Sequence, residues 1–334
     1  MAYIKLNRSA LVYNLDLITQ RAGGKERIAA VLKDNAYGHG LEPMARMLQE
    51  YGITKAVVRT KAEAYTIKDK DRFTYILVLA DEPEPDPKLT FAINDLEQLQ
   101  HTPKGSRIEL KIDTGMHRNG ITMDQIEEAI QYITTKGLVL QGVFTHFRSA
   151  DVLSSELFWQ ERNWQEAKER IKQACQKYHI PLPHFHSQNS AALFREGLKD
   201  DFARVGIAMY GYLEMDEVYE QPPLKPVLSL WAKRIATRRL QKGQRVGYGG
   251  DFEASWPMVV STYDVGYGDG IFRSMRYTKD KEILGRVSMD SIVVEGDEKE
   301  ICVFDDAKKL AHSLGTISYE VLVKLSPFIP RLVR

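Results

Sequence analysis

The chain has 334 residues, enough for one large domain with a smaller companion or for two of moderate size. Its residues are 43% hydrophobic and 27% charged, an ordinary globular composition, and 46 basic against 45 acidic residues leave a net charge of +1. That balance lacks the basic excess an extended nucleic-acid footprint needs, so no nucleic-acid partner is expected. Cys175 and Cys302 are too far apart in sequence to suggest a disulfide framework or a metal site, and they read as buried free thiols of a reducing compartment. No apolar run approaches a bilayer span and the opening residues lack a signal-peptide pattern, so the expectation is a cytoplasmic protein with no membrane partner.

In chain order, residues 1–7 read as a strand. From residue 27 onward, short apolar runs alternate with amphipathic stretches. Strands are expected at 27–33, 56–59, 74–80, 89–93, 107–112, 139–145, 184–187 and 202–206. Helical patterns fall between them at 41–51, 60–68, 94–100, 123–136, 154–177 and 190–197. Eight strand–helix units imply a parallel sheet closed as an α/β (β/α)8 TIM-type barrel, and no dinucleotide fingerprint follows the first strand to favour an open sheet. The segment 81–87, Asp-Glu-Pro-Glu-Pro-Asp-Pro, reads as a rigid solvated connection. Beyond Gln221-Pro222-Pro223 the pattern changes to short alternating runs at 227–236, 258–263, 291–294 and 301–304, a second and mainly β domain at the C-terminus.

Barrel enzymes carry their chemistry at the C-terminal ends of the strands. Lys33 ends the first expected barrel strand, Lys111 lies near the end of the fifth and His146 ends the sixth; Ser187 to Ser190 follow the seventh, and Arg204 lies in the eighth. All fall at one rim. Desolvation at a strand end disfavours the ammonium form, and a neutral amine is a nucleophile toward aldehydes, so Lys33 reads either as a Schiff-base lysine or as a lysine snorkelling out of the strand. Arg204 sits in the short apolar run 202–206, an expensive place for a cation without a partner.

The segment Val31-Leu32-Lys33-Asp34-Asn35-Ala36-Tyr37-Gly38-His39-Gly40 resembles the cofactor-lysine motif of the alanine racemase family. The resemblance recurs, in the family's order, at 111–118, 145–147, 186–190, 204–211, 265–270 and 285–290. It implies a pyridoxal 5'-phosphate enzyme that interconverts L- and D-alanine with two bases and supplies D-alanine for peptidoglycan. A racemase of the same architecture acting on serine or a broader set is the alternative. The resemblance places the barrel at residues 8–224 and the β domain at 225–334, joined by the N-terminal strand 1–7. It also implies a homodimer with shared active sites and an amino-acid substrate, and it calls for no metal.

Residue by residue, the resemblance gives Lys33 the cofactor and one proton-transfer role, and Tyr267, between the turn glycines Gly266 and Gly268, the opposing role from the partner subunit. Arg204 would face the pyridine nitrogen as a donor that does not surrender its proton. Ser190, the backbone of Gly206 and Ile207, and the Tyr37 hydroxyl would cradle the phosphate, and His146 would pack against the ring. Arg118, Met289 and Asp290 would bind the substrate carboxylate, and Lys111 matches a lysine that is carbamylated in many relatives. One departure stands out: the family usually has a phosphate-contacting tyrosine where this chain has Pro327, and Tyr319 matches a different, structural tyrosine.

Overall fold

The computed structural model describes residues 1–68 and 73–334. The chain opens with strand β1 (Tyr3–Leu6) and a helix, Arg8–Ala22. The Asn7 side chain caps that helix by accepting from Ala10 N at 2.9 Å, and Gly23, in the left-handed region, ends it. Its buried residues Leu11, Leu15, Ile18 and Ala22 recur at helical spacing. Polar residues dilute this stripe, so the helix is not legible from the pattern of apolar residues.

Eight parallel strands follow: β2 (Ile28–Val31), β3 (Lys55–Val58), β4 (Tyr75–Val78), β5 (Leu89–Ile93), β6 (Arg107–Lys111), β7 (Val139–Phe144), β8 (His184–His186) and β9 (Ala203–Val205). They pair in the order β8-β7-β6-β5-β4-β3-β2-β9. The ring is completed between β8 and β9 by backbone bonds from Asp201 N to Phe185 O and Arg204 N to Gln188 O, both 3.0 Å. Every expected barrel strand is present, most of them shorter at the ends, 89–93 unchanged and 56–59 displaced by one residue to 55–58, and a nearly closed (β/α)8 barrel results. The apolar runs are continuous rather than alternating because these strands are covered on both faces; Ile28 through Val31 and Leu89 through Ile93 are all buried.

The second unit is a mixed sheet in the order β14-β13-β10-β1-β16, with β15 also on β10. Its strands are β10 (Leu228–Leu240), β13 (Met258–Tyr263), β14 (Ile292–Glu295), β15 (Glu300–Phe304) and β16 (Arg331–Val333), beside a small hairpin of β11 (Arg245–Val246) and β12 (Phe252–Glu253). The N-terminal β1 runs antiparallel to β10 and parallel to β16, so the chain starts in this sheet before entering the barrel. Helices Ala307–Leu314 and Ser318–Val323 complete it, two elements beyond the expected β runs. No helix among the described residues is long and apolar enough to cross a membrane. Cys175 and Cys302 are both free. The acidic segment 81–87 is tied down, with Asp81 accepting from Lys61 N at 2.6 Å and Glu84 paired with Lys61 Nζ at 3.2 Å.

One local feature shapes the rim. After β2, Leu32 N extends the ladder to Val57 O at 2.8 Å, and then Asp34, Asn35, Ala36 and Tyr37 all take positive φ, between 51° and 54°. This is a left-handed turn built from non-glycine residues, each costing about 1–2 kcal/mol. Side chains hold it in place: Asn35 N donates to Glu63 Oε1 at 3.1 Å, and Leu41 N to Asn35 Oδ1 at 2.8 Å. The β domain clamps it from outside. Helix Ser318–Val323 lies so close that a Cβ on Gly38 would overlap the Leu322 carbonyl, and Arg331 Nη2 donates to Gly38 O at 2.9 Å.

Candidate active site

Lys33 is half-buried and begins the left-handed turn, one residue beyond the last ladder bond of β2. Lys111, the last residue of β6, is buried; its Nζ contacts Asn119 Oδ1. Burial, then the charges of Arg118 and Arg204, lower its pKa to about 8. His146 follows β7, and burial together with Arg204 and Lys111 pushes it down to about 3, so it is a neutral imidazole. The charge of Lys33 bears on both Lys111 and His146, which puts these groups in one electrostatic neighbourhood. Arg118 is exposed at the end of a loop shaped by Asp113, whose Oδ1 accepts from the backbone of Gly115, Met116 and His117 at 2.9–3.1 Å.

Arg204 is the most constrained group at the rim. Nη1 donates to His186 Nδ1 at 2.6 Å and His186 O at 3.0 Å; Nη2 donates to Thr145 O at 2.6 Å and Ser187 O at 3.2 Å. A guanidinium has five N–H donors. Four are spent here, and among the described residues Nε–H has no hydrogen-bond partner. The guanidinium also lies over the Phe144 ring at 5.1 Å. Burial lowers its pKa to about 10, leaving it cationic at neutral pH.

Beside it, Ser190 is tied to the turn that follows β9. Ser190 opens a short helix capped by Asn189, and its Oγ accepts from Gly206 N at 3.2 Å and Ala208 N at 3.4 Å. Gly206 and Ile207 form the turn after β9. A Cβ on Gly206 would lie 2.7 Å from Tyr37 Oη, so the missing side chain is what admits the phenol there. Tyr37 is buried against Tyr210, ring centroids 5.0 Å apart, and Tyr319, 5.8 Å apart; burial holds its phenol well above the usual range, so it stays a neutral donor. Pro327 lies in a loop whose carbonyls at Ser326, Pro327 and Ile329 converge on Arg331 Nη1.

Tyr267, Met289 and Asp290 form a separate cluster on the β domain. Gly268 N donates to Met289 O at 2.8 Å and Tyr267 N to Ser288 O at 3.1 Å; the two side chains are exposed, 41% for Tyr267 and 56% for Met289. Among the described residues, no hydrogen bond or ion pair joins this cluster to Lys33, His146 or Arg204 of the same chain. The structure thus gathers the barrel residues and leaves these three apart. The sequence motifs give no role to Glu109, His184, His186 or Tyr75, which form a polar column beneath Arg204 with Glu109 and His186 buried and Tyr75 and His184 half-buried. Its one visible signal is an acid inside an apolar strand, Ile108-Glu109-Leu110.

A parallel barrel with a lysine, a neutral histidine and a pinned arginine at the rim where its strands end, joined to a β domain, defines a two-domain protein of the barrel class, which carries its chemistry at that rim. Residues 6–214 match the family model for the N-terminal domain of alanine racemase, and residues 227–333 match that for its C-terminal domain. The chain is 57% identical over 331 residues to an alanine racemase of Nitratiruptor sp., and 44% identical over 339 residues to one of Campylobacter curvus, each match covering 99% of both chains. Among solved structures, an alanine racemase from Clostridium difficile 630 superposes with a TM-score of 0.90 at 26% identity, covering 100% of this chain and 95% of that one. The chain belongs to the alanine racemase family and is an isomerase.

Proposed function

We propose that the protein interconverts L- and D-alanine with pyridoxal 5'-phosphate at the barrel rim, as a homodimer whose sites are shared between subunits. The observation that carries this reading is Arg204: four of its donors are fixed on protein acceptors and Nε–H is left over, next to a phosphate-type cradle and a strand-end lysine. The donor set fits the cofactor. Lys33 would bind its aldehyde carbon, Arg204 its ring nitrogen, and Ser190, Gly206, Ile207 and Tyr37 its phosphate. When bound, the cofactor supplies the electron sink that acidifies the substrate α-carbon.

The protein's part is position and protonation. Lys33 would exchange a proton on one face of the α-carbon. Tyr267 of a second subunit would do so on the other, consistent with its exposure on the β domain away from its own chain's rim. Arg204 donates without yielding its proton, which limits delocalisation into the ring and favours return of the proton over transamination. His146, held neutral, would pack on the ring without adding charge. Arg118, with Met289 and Asp290 of the second subunit, would hold the substrate carboxylate. The lowered pKa of Lys111 leaves part of its amine free to add to carbon dioxide, forming a carbamate and releasing one proton, and that anion would orient Arg118.

We assign residues 8–224 to the cofactor domain and 225–334, with strand 1–7, to the β domain. The cellular role would be cytoplasmic supply of D-alanine for peptidoglycan. The names of the relatives favour alanine over serine. Incubation of the cofactor-loaded protein with L-alanine in D2O tests the reading: deuterium at the α-carbon and loss of optical rotation are expected. A loaded protein that leaves the α-proton in place would overturn it.

A further inference from the structure

A column of polar side chains runs up the inside of the barrel to Arg204. Glu109, on β6, is fully buried and accepts three hydrogen bonds: from Tyr75 Oη at 2.5 Å, His184 Nε2 at 2.6 Å and His186 Nε2 at 2.7 Å. His186 is sandwiched between Phe144, centroids 5.1 Å apart, and Phe202, 4.3 Å apart. Its Nδ1 faces Arg204 Nη1 at 2.6 Å. Room for the cluster is kept by Gly142 on β7, where a Cβ would overlap both Glu109 and His184.

The tautomer follows from the partners. Arginine has no acceptor, so its N–H must point at a bare Nδ1, and a neutral His186 then carries its proton on Nε2 and gives it to Glu109. A carboxylate, Glu109, is thereby joined to a guanidinium, Arg204, through one neutral ring. The ligand atoms of Glu109, His184 and His186 lie within 4.8 Å of one another, as in a metal site, but the His186 lone pair is already committed to Arg204 and its Nε2 to a proton.

We infer that Glu109 is a positioning residue, whose negative charge, relayed through the neutral His186, fixes the aim of Arg204 and keeps it a cationic donor at the rim. The consequence for catalysis, a correctly aimed Nε–H at the cofactor ring, rests on the function proposed above; the relay itself does not. The groups that bear on Arg204 are Glu109 and Lys111 from β6, Tyr75 from β4, His146 after β7, His186 from β8 and Asp200 before β9. Of these, Glu109, Tyr75 and Asp200 favour the charged guanidinium, and Glu109 is the leading one. Burial opposes the charge, so loss of the carboxylate makes Arg204 easier to deprotonate.

Two measurements on the cofactor-loaded enzyme test this. In wild type, 15N NMR of labelled histidines should show His186 with Nε2 protonated and Nδ1 bare at pH 7; a protonated Nδ1 overturns the relay, whether or not the protein racemises anything. Glu109→Gln keeps the shape and removes the charge. It should lower kcat by about 10- to 100-fold, the usual weight of an outer hydrogen-bonding partner, with KM changed less than about threefold and the basic limb of the kcat profile moved to lower pH. Glu109→Asp should recover part of the loss. A Glu109→Gln enzyme with an unmoved basic limb, or a Glu109→Asp enzyme no better than it, would reduce Glu109 to packing.

Discussion

Substitution of Gly206 by alanine probes the cradle directly. Its backbone is not in the left-handed region, so alanine suits the conformation there; the conflict is with one atom. The new Cβ would stand 2.7 Å from Tyr37 Oη, 3.2 Å from Tyr37 Cζ and 3.5 Å from Val31 Cβ. Only the last is an ordinary contact. Tyr37 has little freedom to retreat, because its backbone is fixed in the left-handed turn and its ring is packed against Tyr210 and Tyr319. Overpacking of this kind costs about 1–3 kcal/mol, or roughly 5- to 150-fold in binding where the displaced group is a ligand contact. The assay is cofactor affinity of the apoprotein by absorbance titration, alongside urea unfolding. The cycle with Tyr37→Phe isolates the cause, since phenylalanine removes the clashing oxygen. Gly206→Ala should cost less in the Tyr37→Phe background than in wild type. Equal cost in both backgrounds would refute the claim that Gly206 exists to admit the Tyr37 hydroxyl.

Acid should destabilise the fold before its carboxylates titrate. His39 and His186 are fully buried, and burial lowers both to about 4, so each is neutral in the fold and takes up a proton on unfolding below pH ~6.5; stability is full above that pH and falls between ~6.5 and 4, by up to roughly 3 kcal/mol per histidine. Urea midpoints that do not fall between pH 7.5 and pH 5 would contradict this. Gly38→Ala combines a φ of +76° with overlap on the Leu322 carbonyl, and should cost about 2–4 kcal/mol by loosening helix Ser318–Val323 from the turn. A melting temperature within a degree of wild type would show that this clamp does not hold the two units together.

Much of this architecture was legible because the physics is local. The barrel strands announce themselves as short apolar runs, since both their faces are covered, and helix Leu41–Tyr51 falls where its 3.6-residue pattern puts it. The rim residues could be found because a barrel sends the end of every strand to one face. Other features depend on tertiary context. Asp34 to Tyr37 read as a polar turn, and nothing in their side chains announces four consecutive left-handed residues; Glu63 and the β domain impose that shape. Helix Arg8–Ala22 is hard to see in the sequence because its apolar stripe is thin. The column from Tyr75 through Glu109 and His186 joins residues 34 to 77 apart in sequence, so it exists only once the barrel closes. Glu109 alone, an acid in an apolar strand, hinted at it.

The central claim is a site completed by two subunits, with Lys33 from one and Tyr267 from the other. Subunit complementation tests it. Lys33→Ala and Tyr267→Phe proteins, each purified, should be inactive with L-alanine. Mixed, dissociated and reassociated, they should regain about a quarter of wild-type activity, because half of the dimers are then hybrids and each hybrid has one intact site. No recovery in demonstrated hybrid dimers would mean that the two residues do not meet across an interface, and the shared-site account would fall.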